Sequence, residues 1–235
     1  MEKIVAALWA PRGEDRASFG ARLIGELPAA LTAAGASSIR INIRDAAVEP
    51  AAPLVQQWQA PQQDAVVQFW LPSSNALFRS ETDEALAAHG GVFHAWLVTE
   101  STIIPNRAHP AVPDTRCAGW SQASFISFRK DMGRHEAIAH WHAHHTKVAI
   151  ETQANFEYVQ NLIVRALTPE APAYDAFVEE CFPLAAMTDP AAFFGAIGNP
   201  DLLAENTARM LESCNAFIDF ARIDIIPTSQ YNPVG

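Results

Sequence analysis

RHEAIAHWHAHHTKVAIETQANFEYVQN, residues 134–161, is a helix and the start of the strand that follows it. Ile138, Trp141, His145, Val148 and Ala149 fall at i, i+3, i+7, i+10 and i+11. That spacing is the stripe with which an α-helix covers a sheet, and it predicts one helix over residues 134–153. His145 therefore lies on the inward stripe, where an imidazole has to find a partner or stay neutral. FEYVQNLIVRAL at 156–167 reads as the strand, with Tyr158 and Asn161 near its start.

Working outward, residues 122–129 predict a strand before this helix. Residues 175–182, about 189–211, and 216–227 predict a strand, a helix and a strand after it. The same order occurs earlier in the chain: strand 3–10, helix 16–34, strands 38–45 and 64–71, helix about 75–89, and strand 92–105. Phe19 to Ile138, Glu26 to His145 and Asn42 to Asn161 are each 119 positions apart, and both closing strands contain Ile-Ile-Pro. Duplication of one βαββαβ unit is the expectation. Pro110 and Pro113 lie in the aperiodic stretch between the halves, which makes 108–120 a linker joining units 1–107 and 121–235. A βαββαβ unit lays two helices on one face of a four-stranded antiparallel sheet, the ferredoxin-like plan of the α+β class. Two such units cover each other's bare faces, sheet to sheet, as an eight-stranded α+β barrel within one chain.

Composition narrows the partners. A net charge of −10, with no basic run, argues against nucleic acid. No run of eighteen apolar residues is present, so no membrane partner is expected. Cys117, Cys181 and Cys214 are odd in number and without CxxC spacing; they read as reduced thiols of a cytoplasmic protein.

Ile138-x-x-Trp141-x-x-x-His145 followed by Tyr158-x-x-Asn161 resembles the EthD family of the dimeric α+β-barrel superfamily. Thr146-Lys147-Val148 stands where that family usually has Ala-Pro-Leu, and Ile138 where it has Phe. The first half keeps Phe19 and Asn42 but has Arg22, Glu26 and Ile39 in place of the Trp, His and Tyr, so one working site per chain is expected, in the second half. Glu26 reads as a solvated charge or the partner of an Arg.

The resemblance implies proton transfer on a small aromatic, phenolic or polyketide-like substrate with no organic cofactor. A lyase or cyclase is the leading expectation. A cofactor-free monooxygenase or a non-catalytic ligand-binding or interaction protein is the alternative, and the chain is a possible homodimer. His145 is the candidate acid/base, because an imidazole accepts and returns protons near neutrality. The residues alone equally allow a structural histidine tying helix to strand. Tyr158 and Asn161 are the candidate oxygen-positioning groups, with Trp141 and His142 against the substrate. His140 and His144 are one turn apart but lack a third ligand, so no metal is expected.

Overall fold

The computed structural model describes residues 1–233. Eight antiparallel strands close into one barrel: β1 (Glu2–Trp9), β2 (Ser37–Ile43), β3 (Ala65–Leu71), β4 (Val92–Ile104), β5 (Trp120–Ile126), β6 (Glu157–Ala166), β7 (Ala176–Phe182) and β8 (Asp224–Tyr231). Around the circle the order is β4-β1-β3-β2-β8-β5-β7-β6, so each half is laid out 4-1-3-2. The helices lie outside: α1 (Arg16–Ala33) and α2 (Ser80–His89) over the first half, and α3 (Arg134–His140), α4 (Thr146–Thr152), α5 (Pro190–Phe193) and α6 (Pro200–Phe217) over the second. The chain is α+β. Its two sheets are not separate layers: β2 pairs with β8 and β4 with β6, and these two seams close one hydrogen-bonded ring.

Register shows which positions correspond. Asn42 stands opposite Val66 and Gln230, and Asn161 opposite Phe177 and Glu100. The shared Ile-Ile-Pro does not correspond. Ile103 and Ile104 end β4, whereas Ile226 stands opposite Ala123, the place that Trp96 takes opposite Val5. The strand expected at 216–227 begins only at Asp224. Before it, α6 runs to Phe217 and Asp219 accepts the Ala221 N–H to start a 3₁₀ turn. The helix expected over 189–211 is two, broken where Gly195 and Gly198 take φ of 61° and 75°.

Alternation along the strands sends one set of side chains inward and the other under the helices. One end of the barrel interior is apolar, with Val5, Val66, Trp96, Phe125 and Phe177 packed together. The other end is polar. There Arg40 of β2 donates to Glu179 at 2.7 Å and to Glu157 at 2.9 Å, crossing from the first half to the second. Glu179 also accepts from Asn42, Ser121, Gln68 and Gln230. Burial raises its pKa, but the Arg40 charge and these donors outweigh burial and hold it well below the usual carboxylate range.

The outer faces differ between the halves. Phe19, Leu23, Leu27 and Leu31 of α1 are all fully buried on Ile4, Ala6, Leu8 and Phe69. Over the second half the helices stand off the sheet and leave a cavity.

Candidate active site

The helix predicted over 134–153 is interrupted. Between α3 and α4, Trp141–His145 forms a π turn, in which the Thr146 N–H donates to the Trp141 carbonyl. Thr146 Oγ1 donates to that carbonyl at 2.9 Å and accepts from Gln160 Nε2 of β6 at 2.8 Å, fixing the turn to the sheet. π turns recur at functional sites. Here the turn buries Trp141 and His145 and leaves His142, Ala143 and His144 exposed.

His145 Nδ1 lies 2.9 Å from Ser213 Oγ on α6, and its ring is 5.0 Å from that of Phe217. Its Nε2 makes no hydrogen bond among the described residues. Burial, then the nearby His140 and His144, depress its pKa to about 4, so the imidazole is neutral at pH 7. Tyr158 OH accepts from Gln160 Nε2 at 2.7 Å and from Trp141 Nε1 at 3.4 Å, which leaves its own proton to donate. Burial, then the Glu180 charge, raise the phenol's pKa, so it stays protonated.

These side chains line one cavity of about 660 Å³ between the outer face of the second-half sheet and α6, walled by Met187, Phe193, Met210, Phe217 and Ile223. That volume suits a ring-bearing small molecule. Its floor holds a residue that the sequence reading did not single out. Glu180 of β7 stands opposite Gln122 of β5 on one side and Tyr158 of β6 on the other. Its carboxylate accepts from Asn155 Nδ2 at 2.9 Å and Gln122 Nε2 at 3.2 Å, with no cation beside it among the described residues. Burial pushes its pKa up to about 7 against those two donors. The signal was in the sequence: Glu179-Glu180 interrupts an otherwise apolar strand, and adjacent strand residues face opposite sides.

Two of the expected site residues do not join His145. Asn161 is three steps from Tyr158 along β6 and so faces the barrel interior. It is fully buried there, and neither end of its amide has a partner among the described residues. His142 lies on the solvent side of the π turn and does not line the cavity. The rings of His140 and His144 sit 5.0 Å apart, and His144 points to solvent. Glu26 is exposed, 3.9 Å from His89 Nε2 rather than paired with an Arg.

The EthD domain family model matches residues 129–220, a span that contains the π turn, Tyr158, Glu180 and α6. The match lies within the second half, and the first half lies outside it. No curated protein matches the chain. A solved structure described as an anthrone oxidase-like protein superposes with a TM-score of 0.53 at 8% identity, covering 98% of this chain and 92% of its own. At that identity the likeness is one of fold.

Proposed function

We propose that the second-half cavity is the active site of a cofactor-independent lyase or cyclase acting on a small aromatic or polyketide-like molecule. One observation carries this: a π turn and an adjoining strand bring a neutral imidazole and a protonated phenol into a single apolar cavity. His145 Nε2 would take a proton from an acidic C–H or O–H of the substrate. Burial depresses its basicity, but the enolate or phenolate formed beside it restores that basicity, because opposite charges attract strongly in a dry cavity. The Tyr158 O–H would hold the developing oxyanion, and Trp141 would pack on the ring. The imidazolium then returns its proton, to the enolate carbon from which carbon dioxide has left, or to a hydroxyl that departs as water when a ring closes.

The name of the structural relative favours a second reading, oxygenation of an anthrone-like phenol on the same scaffold. Both readings are tested by incubating the protein with a panel of aromatic β-keto acids and with anthrone, following product mass and oxygen uptake. Loss of carbon dioxide or water without oxygen uptake supports the first; oxygen uptake with anthrone supports the second. In either case His145→Gln should lower turnover by about 10²–10⁴-fold with little change in melting temperature. Activity near wild type in that variant, with lowered stability, would leave His145 a structural tie.

The common 4-1-3-2 order and the matching registers of Asn42 and Asn161 support the origin of both halves from one ferredoxin-like unit. Three free thiols fit a reducing, cytoplasmic setting.

A further inference from the structure

The two halves place different side chains on one row of the sheet. Phe69 lies three residues after Val66, as Glu180 does after Phe177, and Val66 and Phe177 stand opposite the two corresponding asparagines. Ile4 pairs with Phe69 as Gln122 pairs with Glu180. Ile39 precedes Asn42 by three residues, as Tyr158 precedes Asn161. Under α1 the row is therefore Ile4, Phe69 and Ile39, all buried in the packed core. Beneath the cavity it is Gln122, Glu180 and Tyr158. The fold is content with hydrocarbon in this row, and packing alone gives no reason for a buried carboxyl there.

We infer that Glu180 is a second catalytic group of this cavity, the acceptor that exchanges a proton with a phenolic or enolic hydroxyl of the substrate while Tyr158 donates to the same or the neighbouring oxygen. This rests on the proposed assignment of the cavity to a phenolic substrate. Opposed residues on adjacent strands carry side chains about 5 Å apart, so one ring edge bearing one or two oxygens meets both groups. Among the described residues, the titratable groups that line this cavity with Glu180 are Tyr158 from β6, Cys214 from α6 and His145 from the π turn. The first and last are uncharged at neutral pH, and burial, then the Glu180 charge, push the Cys214 thiol up to about 12. Among the described residues no fixed cation holds the carboxyl ionised, which leaves it free to cycle its proton near neutrality. The step balances as a proton transfer: the substrate O–H bond breaks as the Glu180 O–H bond forms, and the electron pair stays on the substrate oxygen.

The test is binding of 2-naphthol, followed by Trp fluorescence between about pH 5.5 and 8.5, beside a ¹³C NMR titration of the Glu180 carboxyl. The wild type should bind about tenfold more tightly above the Glu180 transition than below it, since a hydrogen bond to a charged acceptor is the stronger one. By linkage, bound naphthol should lower the Glu180 midpoint. Glu180→Gln should bind with no dependence on pH over this range. Glu180→Phe, which copies the first half, should melt at least as high as wild type and lose naphthol binding. A Glu180 carboxyl ionised throughout the range overturns the inference, as does a pH-dependent affinity that survives in Glu180→Gln. Absence of naphthol binding to the wild type at every pH overturns it too. Failure of the lyase or cyclase assignment would leave the naphthol profile intact, so the two fail separately.

Discussion

His145 and Glu180 share a cavity whose burial disfavours charge on both, and the result is two opposed dependences of stability on pH. Unfolded, His145 gains its proton near its ordinary 6.5, whereas folded it waits until about 4. As pH falls through that window the unfolded chain binds the extra proton, and the native state loses about 3 kcal/mol of stability. Glu180 runs the other way. Folded it keeps its proton up to about 7 instead of the ordinary 4.5, so stability is lost as pH rises through that window, again by about 3 kcal/mol. In the wild type the two nearly cancel. His145→Gln should therefore be more stable near pH 5 than near pH 7, and Glu180→Gln less stable near pH 5 than near pH 7, relative to wild type, as read by urea unfolding at about those two values. Parallel curves for all three proteins would contradict the burial of both groups. Much at this scale was legible in the sequence. Trp141, His145 and Tyr158 belong together, and they do meet. Asn161 was legible as well, because three steps along a strand reverse the face, but the motif drew attention to its spacing rather than its parity.

At the scale of elements, most strands and α1 lie within a residue or two of their predicted ranges, since period-2 and period-3.6 patterns survive burial. The π turn was hidden, because Trp141 and His145 are four apart and an α-helix would also put them on one face. What distinguishes the turn is tertiary, a threonine gripping both a freed carbonyl and the sheet. Thr146→Val removes the hydroxyl that donates to the Trp141 carbonyl and accepts from Gln160. The change should lower stability by about 1–3 kcal/mol, and it should weaken naphthol binding because Trp141 and His145 lose their aim. Calorimetric melting together with the fluorescence titration checks both. The Ile-Ile-Pro coincidence shows the converse hazard: identical letters at two strand ends sit at different heights in the barrel.

Across the whole molecule, the halves are joined by more than a linker. Arg40 of the first half is the cation for Glu157 and Glu179 of the second, and Glu179 is fully buried. Arg40→Met should destabilise the protein by about 3–5 kcal/mol, since a buried carboxylate would be left without its charge partner; a urea midpoint unchanged from wild type would contradict this. The repeat of one βαββαβ unit foretold an eight-stranded barrel, but not the two seams, β2 with β8 and β4 with β6, that close it into one ring. Closure depends on which edges meet, and the pattern along one strand does not encode its partner. The same seam governs how the molecule is made in time. Ile41 of β2 waits for Tyr231 of β8, some 190 residues later in the sequence, and loops of that length close slowly, on the millisecond-to-second scale of barrels rich in distant contacts. Until β6 and β8 arrive, β2 and β4 of a nascent chain present open strand edges that invite another chain to pair. Yield on expression should therefore be limited by the interval between the two halves rather than by the stability of the finished barrel.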